Sequence, residues 1–216
     1  MKTIRNLIVL FCILSALTGS LWAQEIISGK TLVKDLRKGG FNIYFRHAAT
    51  DWSREDNVTK KGDWQSCDPD KMRQLVPGGR AAARKIGAAI RRLKIPVGRV
   101  WSSPYCRTRE TARHLNLGPI SITYDIMNLR TAQFVGGHDA LVSHARRALA
   151  TPPPIGTNTV FVAHGNLVQA ATGAYPGEAG AAIFNPLGNG RLKLVALLNP
   201  EDWEALADNR MPNGKP

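Results

Sequence analysis

Long hydrophobic runs, repeats and linkers are absent from most of this chain of 216 residues. No apolar run of about 20 residues follows the first 23 positions, which argues against a later membrane span. No internal repeat, low-complexity tract or linker is long enough to separate two domains. The sequence therefore predicts one domain with one substantial core, over residues 24–216.

Acidic residues are few: 16 Asp and Glu stand against 29 Lys and Arg, a formal net charge of +13. Such an excess favours anionic partners. The basic residues are spaced as on solvated helix faces, and no basic patch is interleaved with aromatic residues. A nucleic-acid partner is therefore not expected, and phosphorylated substrates or an anionic membrane surface fit the composition better.

The sequence lacks the motifs of two other classes of hydrolase. Ser102 and Ser103 have no glycine pattern of a nucleophile elbow around them, which argues against a serine hydrolase. His138, Asp139 and His144 share no helix face, so they do not predict a metal site.

The first 23 residues are typical of a secretory signal. Lys2 and Arg5 form a positive start, residues 7–17 form an apolar run too short to span a bilayer, and small residues precede a cleavage site after Ala23. An uncleaved N-terminal anchor is the alternative. Cleavage removes Lys2 and Arg5, so the net charge falls from +13 to +11. We expect export, to the bacterial periplasm.

Two of the three cysteines, Cys67 and Cys106, lie beyond the predicted signal. An even pair in an oxidising compartment predicts a disulfide, and two buried or free thiols are the alternative. The bridge would tie the loop after His47 to the residue before Arg107.

Strands that alternate with helices predict a three-layer α/β/α sandwich with a mostly parallel central sheet. The expected strands are 41–45, 97–101, 120–124, 159–163, 183–184 and 192–198, and the expected helices are 31–38, 77–93, 107–115, 139–149, 166–172 and 200–207. The polar stretch 48–76 is long for a structureless connection, and such loops are usually functional.

Chemically distinctive residues follow three of these strands: Arg46-His47, the segment 102–107 that ends in Arg107, and His164. Ligands bind at the carboxyl edge of open α/β sheets, and two guanidiniums with two imidazoles suit a tetrahedral dianion such as phosphate. A neutral His47 could attack phosphorus if a hydrogen bond fixes its other ring nitrogen. Arg46, Arg107 and a protonated His164 would hold the phosphate, and a carboxylic acid must protonate the leaving alkoxide.

These motifs resemble those of the histidine phosphatase superfamily, which includes the cofactor-dependent phosphoglycerate mutases. Arg46-His47-Ala48 is similar to its Arg-His-Gly signature, and residues 75–80 to its Leu-Thr-x-x-Gly segment. Residues 102–112 resemble Ser-Ser-Pro-x-x-Arg-x-x-x-Thr-Ala, and Ala163-His164-Gly165 the second histidine motif. The resemblance implies His47 as the phosphorylated nucleophile and Arg46, Arg107 and His164 as the phosphate clamp. It implies no metal and no organic cofactor.

The acid is where the chain departs from this family. Mutase-like members carry a glutamate some 20 residues past the second arginine, whereas residues 127–131 contain no acid. Glu178, which precedes a strand in a Gly-Glu context similar to that of exported members, is the favoured proton donor, and Asp51 is the alternative. Arg73 is a further candidate phosphate contact or a solvated loop residue.

Two functions fit this pattern. The first is an exported, metal-independent phosphatase that hydrolyses the monoesters of phosphorylated small molecules or glycans through a phosphohistidine on His47. The second is a non-catalytic phosphate or phospho-glycan binding protein on the same scaffold. The sequence does not predict the natural substrate or the oligomeric state.

Overall fold

A computed structural model describes residues 29–210. The predicted signal, its cleavage site and Cys12 lie outside these residues. Six strands form one sheet in the order β3-β2-β4-β1-β5-β6. They are β1 (Asn42–Arg46), β2 (Val97–Ser102), β3 (Ile120–Ile122), β4 (Asn158–Ala163), β5 (Ala181–Gly188) and β6 (Arg191–Leu198). β1 to β4 are mutually parallel, whereas β5 and β6 form an antiparallel hairpin against β1. The predicted mostly parallel sheet is confirmed.

Helices cover both faces of the sheet, as predicted. The six α-helices of the described residues are α1 (Gly29–Lys38), α2 (Pro77–Arg92), α3 (Cys106–Leu115), α4 (His138–Ala150), α5 (Gly165–Thr172) and α6 (Pro200–Ala207). α1, α2, α3 and α6 pack on one face, and α4 and α5 on the other. Because side chains alternate along a strand, Ile43 and Phe45 of β1 enter the first core and Tyr44 the second.

The long loop 48–76 is folded onto the body of the protein rather than free. Trp64, in a short 3₁₀ helix (Asp63–Gln65), and Met72 are each 1% exposed and belong to the second core. A disulfide joins Cys67 to Cys106 with Cα atoms 5.3 Å apart, which confirms the predicted bridge. The loop is therefore fastened to the first residue of α3, next to Arg107.

Most differences from the predicted elements are shifts of a few residues at their ends. The hairpin is the larger difference, since β5 extends to Gly188 although residues 185–188 contain Asn185, Pro186 and Gly188, which are typical of turns. The pairing of β5 with β1 ends at Phe184, so residues 185–188 pair with β6 on one side and leave their other side as an open edge. A proline is tolerated at such an edge, and the pairing with β6 has a local register shift there. A second 3₁₀ helix, Leu129–Phe134, was not predicted.

Candidate active site

The parallel strands place the predicted site residues at one edge of the sheet. His47 follows β1 and His164 follows β4, and their ring centroids are 5.7 Å apart because the two strands are direct neighbours. Both histidines line a cavity of about 120 Å³, together with Arg46 and Arg73. The cavity is also lined by Trp52, Asn128, Arg130, Gly165, Asn166 and Tyr175.

His47 is buried, with 3% of its surface exposed, and its tautomer is fixed by the backbone. Its Nδ1 lies 2.9 Å from the carbonyl oxygen of Ala48, which can only accept, so Nδ1 carries the proton. Nε2 therefore keeps a lone pair. Burial, and next the charge of Arg107, lower the pKa of His47 well below its ordinary value, so the ring is neutral at physiological pH.

Ala48 takes the place of the glycine in the Arg-His-Gly signature, and the structure accommodates its methyl group. Its side chain is fully buried, and its N–H donates to Oγ1 of Thr111 at 3.0 Å. Ala48 is not among the residues with positive φ, so its backbone does not require glycine.

His164 has both ring nitrogens engaged by protein groups. Oδ1 of Asn128 accepts from the backbone N–H of Arg130 at 3.0 Å, so its Nδ2 faces Nδ1 of His164, at 3.2 Å. Nδ1 is therefore the acceptor, and the proton on Nε2 donates to Oγ of Ser103 at 3.0 Å. Burial, and next the charge of Arg107, lower the pKa of His164. The structure thus holds a neutral His164, and its expected charge in the substrate complex stays a prediction.

Arg107 is paired with a carboxylate that the sequence did not connect to it. Nη1 and Nη2 donate to the two oxygens of Asp56 at 3.0 and 2.9 Å. The side chains of Arg107 and Asp56 are only 1% and 6% exposed. Asp56 also accepts from the backbone N–H of Arg73 at 3.0 Å, so one loop carboxylate holds two arginines of the site.

Arg46 and Arg73 both reach the cavity, and each is stacked on an aromatic ring. Cζ of Arg46 lies 5.3 Å from the ring centroid of Tyr175, and Cζ of Arg73 lies 4.0 Å from that of Trp52. Burial, and next the charge of Arg107, lower the pKa of Arg73, although an arginine remains charged. Arg73 is therefore a buried residue of the site rather than a solvated loop residue.

The two candidate acids occupy different surroundings. Oε1 of Glu178 accepts from Oγ1 of Thr50 at 3.1 Å and lies 4.0 Å from Nη2 of Arg46. The next residue, Ala179, donates its N–H to the carbonyl of His47 at 3.0 Å, which fixes the segment beside the site. Asp51 is exposed and accepts from Oγ and N of Ser53, bonds that lower the pKa of its carboxyl and so oppose a proton-donor role.

Several residues of the site carry no sequence signal of their own. Asp56 meets Arg107 across 51 positions of the chain, and Asn128 meets His164 across 36. Tyr44, inside β1, accepts from the N–H of His164 and donates to its carbonyl. For Tyr44 a weak signal existed: it lies in β1 and His164 follows β4, two strands that were expected in one sheet, so a contact between them could have been suggested.

Residues 29–210 contain neither a cluster of metal-binding side chains nor a membrane-spanning helix. No group of three or more His, Cys, Asp or Glu side chains there could hold a metal ion. No helix in this part of the chain is long and apolar enough to cross a membrane.

A family profile described as the histidine phosphatase superfamily (branch 1) matches residues 43–136, a segment that includes Arg46, His47 and Arg107. A comparison with curated protein sequences gave no match.

Solved structures share the fold at low sequence identity. A provisionally assigned phosphohistidine phosphatase SixA from Nakamurella multipartitia is 17% identical, with a TM-score of 0.52, over 74% of this chain and 96% of that one. The product of an open reading frame of Mycobacterium tuberculosis is 17% identical, with a TM-score of 0.51, over 74% and 97%. A phosphoserine phosphatase of Entamoeba histolytica is 15% identical, with a TM-score of 0.50, over 75% and 98%.

Proposed function

We propose that the chain hydrolyses phosphomonoesters through a phosphohistidine on His47, a proposal that the match of residues 43–136 to the histidine phosphatase superfamily profile supports. The observation that carries this proposal is the tautomer of His47. Its proton lies on Nδ1, toward the carbonyl of Ala48, so Nε2 has the lone pair that a nucleophile needs. The same cavity is lined by Arg46 and Arg73, which would bind the phosphate oxygens.

In the first step, Nε2 of His47 attacks phosphorus while the bond from phosphorus to the ester oxygen breaks. The leaving alkoxide takes a proton from Glu178, whose carboxyl group lies beside Arg46. Nδ1 of His47 keeps its proton and goes on donating it in the hydrogen bond to the carbonyl oxygen of Ala48. The guanidiniums stabilise the charge that spreads over the three remaining phosphate oxygens.

In the second step, water attacks the phosphohistidine and the ionised Glu178 takes the proton of that water. The bond between phosphorus and Nε2 breaks, and His47 returns to its neutral form. Inorganic phosphate leaves, and Glu178 is protonated for the next cycle. No metal ion is needed for this proton balance, which agrees with the metal-independent reaction that we propose.

The charges of the site suit a monoester dianion. Asp56 balances Arg107, and Glu178 lies next to Arg46. Arg107 is not among the residues that line the cavity, and Asp56 holds both of its Nη atoms, so the direct phosphate contact expected of Arg107 stays a prediction.

The test of this function is to trap phosphorus on the protein during turnover of an aryl phosphate. We expect an acid-labile, base-stable phosphoprotein in the unmodified chain and in a His138→Ala control, whose side chain is exposed. We expect none in His47→Ala, with turnover lowered by about 10³-fold or more. Full activity of His47→Ala would reject the proposal. Stabilisation by inorganic phosphate without any turnover would favour the binding protein instead.

We further propose that the protein is exported and that its signal is cleaved after Ala23. The disulfide between Cys67 and Cys106 supports this location, because such bonds persist in oxidising compartments such as the bacterial periplasm. Fractionation of cells and N-terminal sequencing test it. A periplasmic protein that begins at Gln24 is expected, and a cytoplasmic protein that keeps its first residues would contradict the proposal.

A further inference from the structure

Two exposed aromatic rings stand at the opening of the cavity that contains His47. Trp52 comes from the loop 48–76 and Tyr175 from the segment after α5, and both line this cavity. Their exposed fractions are 62% and 52%. Single exposed apolar residues are ordinary on protein surfaces, but two large rings at one opening form a surface suited to a ligand.

Each of these rings is held by a guanidinium of the site itself. Arg73 stacks on Trp52 at 4.0 Å, and Arg46 stacks on Tyr175 at 5.3 Å. These cation–π contacts fix the rings relative to the groups that would bind phosphate. Rings already held in place lose little conformational freedom when a ligand packs on them.

The cavity is too small to enclose the alcohol part of a substrate, which must therefore lie at the opening. Its volume is about 120 Å³, whereas sites that enclose a whole organic ligand measure roughly 300–1,000 Å³. A phosphoryl group fits, and the group esterified to it must lie outside, where Trp52 and Tyr175 are.

The charges indicate what that group carries. The groups concerned are the guanidiniums of Arg46, Arg73, Arg107 and Arg130 and the carboxylates of Asp56 and Glu178. In the proposed reaction Glu178 is protonated when the substrate binds, so the net charge of these groups is then +3, of which the phosphate dianion of a monoester neutralises two. A positively charged remainder is therefore disfavoured, and the electron-rich faces of the two rings at the opening do not suit a second anionic group.

We propose that the substrates are phosphomonoesters of an uncharged, hydroxylated ring, of which a hexose phosphate is the simplest example. This inference rests on the proposed phosphatase function. The ring would pack its carbon–hydrogen face on Trp52 and Tyr175 and keep its hydroxyl groups in water. A phosphorylated linear group has no face that could cover these side chains, so the aromatic opening selects against it.

The test compares glucose 6-phosphate with glycerol 3-phosphate. Both are primary monoesters with hydroxyl groups and the same charge, and only the first has a ring. We expect kcat/KM to be about tenfold higher for glucose 6-phosphate. Trp52→Ala and Tyr175→Ala should each lower that ratio several-fold. The control Ile155→Ala removes a fully exposed apolar side chain elsewhere and should leave the ratio unchanged.

The possible outcomes separate the two proposals. If the protein turns over both esters with a ratio near one, or if neither aromatic variant changes the ratio, the inference about the ring is wrong and the phosphatase function stands. If the protein turns over no ester, an aryl phosphate included, the phosphatase function itself is wrong.

Discussion

At the scale of single residues, the site depends on which proton each side chain can give or keep. His47 and His164 are both buried, yet their partners differ: a carbonyl fixes the first, and an amide and a hydroxyl fix the second. His47 thus presents a lone pair, whereas His164 presents neither nitrogen freely. Of the two candidate acids, Glu178 lies beside Arg46, whereas Asp51 is hydrogen-bonded to Ser53.

Substitution of Glu178 tests the proton donor. In Glu178→Gln, kcat/KM for an alkyl phosphate should fall by about 10²–10⁴, the usual contribution of a general acid. An aryl phosphate, which needs little protonation, should lose far less. The change in the ratio between the two esters is the measurement. The matched control Asp51→Asn should keep that ratio, and an equal loss for both esters in Glu178→Gln would contradict the assignment.

Substitution of Asp56 tests its pairing with Arg107. In Asp56→Asn the buried guanidinium loses its counter-charge, so the free energy of unfolding should fall by about 3–5 kcal/mol. Inorganic phosphate should restore part of this loss, because the dianion supplies a new counter-charge. Denaturant unfolding with and without phosphate measures both effects.

Asp70→Asn is the control for this experiment. Asp70 lies in the same loop and pairs with Arg54, but these side chains are 80% and 54% exposed. The loss of such a surface pair should cost at most about 1 kcal/mol. Equal losses in the two variants would show that burial of the Asp56 pair does not stabilise the protein.

At the scale of elements, the site is assembled where strands end and helices begin. Arg46 and His47 continue β1, while the start of α5 at Gly165 passes directly beside Arg46. A Cβ atom at Gly165 would lie 3.0 Å from Cδ of Arg46 and 2.9 Å from Cε2 of Tyr175. The small residue after the second histidine is therefore explained by packing against Arg46 and Tyr175.

We expect Gly165→Ala to displace Arg46 and Tyr175 and to lower kcat/KM by about 10- to 100-fold, as misplacement near 1 Å does. The overall stability should change little, because the exposed ring of Tyr175 can move. Gly177→Ala is a suitable control, since a Cβ atom there would meet nothing within 4 Å. The measurements are kcat/KM and the melting temperature of both variants, each compared with the unmodified protein. Unchanged kinetics in Gly165→Ala would show that the clamp tolerates the extra methyl group.

Elements were more predictable from the sequence than contacts. The helix from Pro77 has a proline start and a clear apolar stripe, so its bounds were predicted to within one residue. Arg46 ends β1, His47 and His164 directly follow strands, and Arg107 belongs to the motif after β2, so these four residues could be recognised in the sequence. Asp56 and Asn128 are different, because each reaches its partner through a loop whose path no local pattern specifies.

At the scale of the whole molecule, two buried neutral histidines make stability depend on pH. Burial lowers the pKa of His47 and His164 below the ordinary 6.5 that they regain on unfolding. Below pH 6.5 the unfolded chain therefore binds protons that the folded chain does not, and stability falls as the pH falls.

The expected loss between pH 6.5 and 5.5 is about 2 kcal/mol for the two histidines together. Urea unfolding at these two pH values measures it. His138→Asn, which replaces an exposed histidine, should show the same loss. In the double variant His47→Asn/His164→Asn, most of this pH-dependent loss of stability should disappear. A stability that does not change in this interval would mean that the two rings are charged in the folded protein.

The bond between Cys67 and Cys106 has a consequence for where the protein could work. It connects the loop that carries Trp52, Asp56 and Arg73 to the helix that carries Arg107, so most of the proposed phosphate site is assembled across it. A newly made chain in a reducing cytoplasm would lack that connection and would hold these side chains less firmly. The protein would thus gain the full activity that we propose only after oxidation, and in a reducing compartment it would hydrolyse few phosphate esters.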